Sequence, residues 1–286
     1  MDWQSLNQDT IADDVPASMR PVLAGLGEYA RRAIEPLNMR PRSATLRYVG
    51  DGRVEVQVGA LSQSILLILA PESELAAEVA LLKLAAHSRL PLPTVLTSDL
   101  AGGALPFPWA VESFIGGTRL HAVADDALVR VASRQVGRAL RRLHQIAAPG
   151  VGAPTPGGRW PDRTWHEVLR AALRARQQRA GTEEAGERDD APFATRAPGC
   201  ERPMLIHGAL APSSAIVTAG DGVVQLGGLT RPGPIIGGDP LYDLAVALEA
   251  PATPTYRAGL IDGYTSGVGL SDEQQITIER YRHILL

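Results

Sequence analysis

Lysine is almost missing from this chain: of its 28 basic residues, Lys83 is the only lysine and all others are arginines. With alanine, glycine, proline and arginine all abundant, that bias follows from base composition and excludes nothing alone, yet it leaves long stretches with no cation. Cysteine is equally scarce. Cys200 stands alone, which excludes an internal disulfide and suits a reducing, cytoplasmic setting. There is no excess of positive charge either: the net charge is −3 and the arginines are interspersed with Asp and Glu. A phosphate-backbone partner or an anionic membrane surface would call for a basic stripe, so neither nucleic acid nor membrane is expected as partner. The longest apolar run, Ile65 to Ala70, is far below the ~20 residues needed to span a bilayer. Met1 to Ser5 lack the basic start and apolar core of an export signal.

What is present is an ordinary globular composition, 45% hydrophobic and 21% charged over 286 residues, enough for two lobes. Apolar positions Val22, Leu23, Leu26, Tyr29, Ala30 and Ala33 recur at helical spacing and predict one helix over Pro21 to Leu37. Ala44 to Val49 reads as a strand leading into the turn signal Gly50-Asp51-Gly52. Val54 to Val58 alternates as a half-buried strand, and Ser64 to Ala70 is apolar throughout, as the centre of a sheet would be. Pro71 opens a helix to His87 with Glu72 and Glu74 at its positive end. A long helix is expected over Asp126 to Ile146, then a Pro/Gly-rich stretch at 147–162 and a basic helix over Arg163 to Arg179. Residues 181–203 are polar, as a flexible connection would be. The organisation that results is a helical extension at 1–42, a strand-rich lobe at 43–117 and a helical lobe at 118–286, hinged near 112–118.

Four segments carry more than composition. Met204-Leu205-Ile206-His207-Gly208-Ala209-Leu210-Ala211-Pro212-Ser213-Ser214-Ala215-Ile216-Val217 resembles the catalytic loop of the aminoglycoside phosphotransferase family and related small-molecule kinases, which reads His-Gly-Asp-Leu-x-Pro-x-Asn between apolar residues. Gly238-Asp239-Pro240-Leu241-Tyr242-Asp243-Leu244-Ala245 is similar to that family's Gly-Asp-Pro-x-Tyr-Asp-Leu-Ala helix start. Gly137 to His144 and Leu90 to Leu96 resemble two further segments in the right order. The resemblance spans roughly residues 44 to 282. It implies an α+β, two-lobed, protein-kinase-like fold, with a small antiparallel-sheet N-lobe and a mainly helical C-lobe.

The resemblance also implies a list of groups for phosphoryl transfer, and the sequence departs from that list. Positioning and charge stabilisation need a loop carboxylate for the attacking hydroxyl, oxygen ligands for Mg²⁺, and a cation on the third strand paired to a helix Glu. Aligned by motif, the catalytic Asp falls on Ala209, the metal-binding Asn on Ser214 and the second metal Asp on about Gly228. The strand cation falls on Ile68. No Asp or Glu occurs from Val223 to Gly238, and no Lys or Arg lies between Arg53 and Lys83. Glu78 stands in the place of the helix glutamate without a visible cation.

The remaining candidates have plain structural readings. His207 and Asp243 would pack and buttress the loop, Asp239 would cap a helix, and Ser213 and Ser214 would be loop residues. Glu78 would be a solvated or re-paired helix residue. With His207, Gly208, Leu210, Pro212, Asp239, Pro240 and Asp243 retained as scaffold, the expectation is a catalytically impaired, pseudokinase member that works without cofactor. It would bind a protein partner, a peptide or a small molecule in the inter-lobe cleft. A place beside modifying enzymes in a bacterial biosynthetic cluster is implied by the resemblance alone. Two alternatives stay open: an active ATP- and Mg²⁺-dependent transferase rebuilt on Glu55, Asp51 or Glu112, and a cleft turned to chemistry without ATP.

Overall fold

Strict alternation along strand β2 (Arg53–Gly59) sends Val54, Val56 and Val58 to one face and Arg53, Glu55 and Gln57 to the other. That strand pairs antiparallel with β1 (Ser43–Gly50) and with β3 (Ser64–Leu69), and β3 pairs in turn with β5 (Trp109–Ser113), which carries the edge strand β4 (Val95–Asp99). The order β1-β2-β3-β5-β4 puts the apolar run of β3 at the centre, where an uninterrupted hydrophobic strand belongs. The structure, a computed structural model, describes residues 2–7, 20–50, 52–179 and 197–285. Asp51 and most of the 181–203 connection therefore lie outside the described residues.

The chain falls into two compact units. Unit 1 is Met1–Leu84, Pro93–Ile115 and Pro156–Gly158; unit 2 is Ala85–Leu92, Gly116–Thr155 and Arg159–Leu286. In unit 1 the valine face of the sheet is covered by α1 (Arg20–Ala24) and α2 (Leu26–Ile34). The single helix expected over 21–37 is thus broken at Gly25, and its last turn is a tight 3₁₀ segment, Glu35–Leu37. Leu23, Leu26, Ala30, Ala33 and Ile34 pack on Val54, Val56, Val58, Ile65, Leu67, Leu69 and Val111 in one buried cluster. The opposite face receives α3 (Glu72–Ala85), with Ile68, Ala70, Leu75, Val79 and Ala110 forming a second, smaller apolar cluster.

Unit 2 is built on α4 (Asp126–Leu143), capped by the Asp125 carboxylate, which accepts from the N–H groups of Ala127 and Leu128. Next come α5 (Trp165–Arg179), α6 (Pro240–Glu249), α7 (Pro254–Thr265) and α8 (Asp272–Leu285). Its strands are short: β6 (Thr118–Arg119), β8 (Ala215–Gly220) and β9 (Val223–Leu229) form one sheet, and β7 (Met204–Leu205) pairs with β10 (Gly237–Gly238). The β8–β9 hairpin turns on Asp221 and Gly222, both at positive φ, which fits the twist of the paired strands. Gln135 of α4 acts as an extra strand for β9: its Oε1 accepts from Leu226 N–H at 2.7 Å and its Nε2 donates to Val224 C=O at 2.9 Å. No helix among the described residues is long and apolar enough to cross a membrane.

Helices α4 and α7 approach closely because small residues line both. A Cβ on Gly263 would lie 2.0 Å from the Arg134 carbonyl oxygen, and one on Gly137 2.2 Å from that of Leu260. Neither obstacle is a side chain that can swing away. Gly263→Ala should therefore cost about 1–3 kcal/mol through overpacking, more than offsetting alanine's better helix propensity. Urea denaturation of the full chain, read by far-UV circular dichroism, measures the difference.

Candidate functional site

The loop that follows β7 is held by one buried carboxylate. Asp243, in the first turn of α6, is fully buried; its Oδ2 accepts from the His207 N–H at 2.5 Å and its Oδ1 from the Gly208 N–H at 2.8 Å. His144, the residue after α4, reaches Oδ2 through Nε2 at 3.1 Å, and its Nδ1 lies 2.9 Å from the Tyr264 hydroxyl. A carboxylate can only accept, so Nε2 carries the proton. Burial alone would raise the Asp243 pKa, but the His144 bond and charge, together with His207, hold it below its ordinary value. Gly208 is at φ +74°, and a Cβ there would meet the Ile235 carbonyl oxygen at 2.2 Å. Both conformation and space demand glycine.

Beyond Gly208 the loop presents little chemistry. Ala209 is exposed and offers a methyl group. Ser214 is buried, and its hydroxyl donates to the Ala211 carbonyl at 2.8 Å while accepting the Ala211 N–H at 2.9 Å. That closed pair spends the hydroxyl on the loop itself. Ser213 is exposed and its carbonyl accepts from the Arg119 guanidinium. Gly228 is buried in β9 opposite Ile216, beside a bulge that takes up Gly227. Asp239 caps α6 through Leu241 N–H at 2.9 Å, and its other oxygen accepts the Tyr281 hydroxyl at 2.6 Å. Tyr281 belongs to a buried aromatic trio with Trp165 and Tyr242, ring centroids 5.2–6.5 Å apart. His207 is fully buried. Hard cations want several oxygen ligands, preferably charged; Asp239, Asp243 and Ser214 bond to protein groups, and Ala209 and Gly228 bring no side-chain oxygen, so the loop does not fit Mg²⁺. Among the described residues no three His, Cys, Asp or Glu side chains are placed to hold a metal ion.

In unit 1 Glu78 takes the re-paired alternative. That residue is neither solvated nor without a cation: it is 2% exposed, and Arg53 donates Nη1 to its Oε2 at 2.7 Å and Nη2 to its Oε1 at 3.0 Å. The same guanidinium gives Nε to Glu55 Oε1 at 2.7 Å. Ile68 does occupy the β3 position, packed under α3, and the cation enters from the neighbouring strand instead. Glu55 lies directly opposite Ile68 in the β2–β3 register, so Arg53, two residues earlier, projects from the same face. A lysine census of β3 could not reveal this. The parity of Arg53 and Glu55 on β2 is the signal that could have, once register was known. The alternation had suggested a solvated polar face for β2; α3 covers it, and pairing makes the burial tolerable.

Glu112 completes the group. It lies on β5 opposite Leu66, two residues along the same face as the Ile68–Ala110 pair, and it is 2% exposed with its Oε1 lacking any hydrogen-bond partner. Burial first, and the charge of Glu78 next, push its pKa well above the ordinary 4.5, against the pull of Arg53. On Arg53 the balance runs the other way: burial disfavours its charge, but Glu78 and then Glu55 outweigh that and raise its pKa.

This scaffold defines a class, the kinase-like phosphotransferases. The chain belongs to the phosphotransferase enzyme family (APH), whose family model matches residues 52–276. Among solved structures, a type VIII aminoglycoside-3'-phosphotransferase is similar at 18% identity and TM-score 0.63, covering 91% of this chain and 98% of that one. A thermostable aminoglycoside phosphotransferase APH(4)-Ia gives 14%, 0.62, 89% and 91%. Macrolide 2'-phosphotransferase from Brachybacterium faecium gives 18%, 0.58, 88% and 88%. No curated protein matches the sequence.

Two outcomes follow from the buried carboxyls. Glu112 has a folded pKa above its unfolded one, so folding stability declines as pH rises from about 4.5 through the folded value. Glu112→Gln removes that decline: its melting temperature should exceed that of the parent at pH 8 and converge with it near pH 4. Asp243 has the opposite sign, giving stability above its ordinary 3.8 that is lost on acidification. Asp243→Asn should cost about 3–5 kcal/mol at pH 7, since it strips a charge from a buried network, and the gap should narrow in denaturation series run toward pH 3.

Proposed function

We propose that this phosphotransferase-family chain has kept the fold and given up phosphate transfer, and that it acts by binding a protein, peptide or small molecule. The observation that carries this reading is the catalytic-type loop. Its backbone is clamped by Asp243 as a working loop would need, but the exposed side chain it presents is that of Ala209, and the Ser214 hydroxyl is bonded back to Ala211. A methyl group cannot orient or deprotonate an attacking hydroxyl, and losing several charge-stabilising groups at once costs many factors of ten in rate. The solved relatives include ternary complexes of APH(4)-Ia with AMP-PNP and hygromycin B; that binding belongs to that protein.

One observation favours the rebuilt-enzyme reading instead. Arg53, bidentate on Glu78, restores a cation–glutamate pair to α3 by another route. Against it stands the charge count, because Glu55 already shares the same guanidinium. Isothermal calorimetry with ATP, with and without Mg²⁺, separates the two. We expect no saturable heat at nucleotide concentrations up to about 1 mM, where binding weaker than about −4 kcal/mol would go unseen. Magnesium-dependent binding in the micromolar range would overturn the binding-only reading and establish a rebuilt nucleotide site.

A further inference from the structure

The cluster beneath α3 has one cation for three carboxyls, all within unit 1. Arg53 and Glu55 come from β2, Glu78 from α3 and Glu112 from β5; β3 contributes only Leu66 and Ile68 to the space between, and β4 sets Val95 opposite Glu112. Lys83, the one basic residue of α3, is exposed. The Arg53 donors that approach these groups go to Glu55 and Glu78, and nothing donates to the buried Glu112 Oε1. A carboxyl oxygen taken from water and left without a donor is a standing cost, and such costs persist where a site uses them. What the cluster lacks is a second N–H donor bearing positive charge. A phosphate would add negative charge to carboxylates that already outnumber their cation.

We propose that this cluster is a binding site for a small organic cation, a primary ammonium or guanidinium group that donates to Glu112 and completes a set of two cations and three carboxylates. The apolar lining of Ile68, Ala110 and Leu66 keeps the local dielectric low and strengthens each charge-assisted bond. The approach is at the Glu112 end, where both cross-strand neighbours, Leu66 and Val95, and the adjoining Ser113 are partly exposed. Burial favours the protonated form of Glu112 and a bound cation favours the ionised one, so binding drives its proton toward solvent.

The test uses agmatine, which carries an ammonium at one end and a guanidinium at the other, with 1-butanol as the uncharged control. Calorimetry on the full chain at pH 5 and pH 7, in two buffers of different ionisation enthalpy at each, should show saturable agmatine binding with net proton release. It should show none for butanol. Glu112→Gln, nearly isosteric and expected to fold, should weaken agmatine at least about tenfold and abolish the proton release. No saturable heat up to about 10 mM agmatine, equal affinity in Glu112→Gln, or binding without proton release would each overturn the proposal. It rests on the reading that nucleotide phosphates do not occupy unit 1. Micromolar MgATP binding would sink that reading, whereas inert ATP together with inert agmatine would sink this proposal alone.

Discussion

Everything in the loop of unit 2 depends on one carboxylate accepting two consecutive backbone N–H groups. Buried backbone donors must be satisfied, and at the start of an irregular loop no ladder partner is available to His207 and Gly208. Asp243 supplies both acceptors from the first turn of α6, and His144 offsets the charge this brings indoors. The sharp turn at Gly208, its packing against the Ile235 carbonyl and the Gly233 N–H bonded to the His207 carbonyl all follow from that anchor. None of these contacts involves the side chain at position 209. The loop can therefore persist unchanged while the residue it displays varies.

Two buried charge groups among the described residues solve the same problem differently. Around Asp243 the acceptors and donors match, and the net effect is a carboxylate stabilised in its charged form. Around Arg53 they do not: two carboxylates satisfy the guanidinium, and burial favours the neutral form of the third, Glu112. The first is a finished piece of architecture. The second leaves a buried acceptor oxygen without a donor, while the other described arginines are exposed or half-buried.

Much of the fold was legible from spacing. The alternation of β2, the apolar β3, the acidic start of α3 and the capped start of α6 were each visible in the sequence and lie where spacing put them. The break at Gly25 was not, because apolar periodicity continues across it. In the site, the substitutions at Ile68, Ala209, Ser214 and Gly228 could be read by motif. The role of Arg53 could not, because it depends on which residue of β2 stands opposite Ile68, and register is a property of pairing rather than of either strand. The inward turn of the Ser214 hydroxyl was hidden for a similar reason: a serine next to a tight turn can bond to its own loop or to a ligand, and sequence does not distinguish them.

The family match begins at residue 52, yet the sheet of unit 1 does not begin there. Strand β1 and helices α1 and α2 precede that boundary, and they cover the valine face of β2, β3 and β5. A fragment trimmed to the recognisable family region would cut the β1–β2 hairpin at its turn, strip the partner strand from Val54, Val56 and Val58, and lay bare a flat row of branched aliphatics with an open edge. Such an edge recruits other strands. For this molecule the part that looks accessory is what keeps the family's sheet from being an aggregation surface.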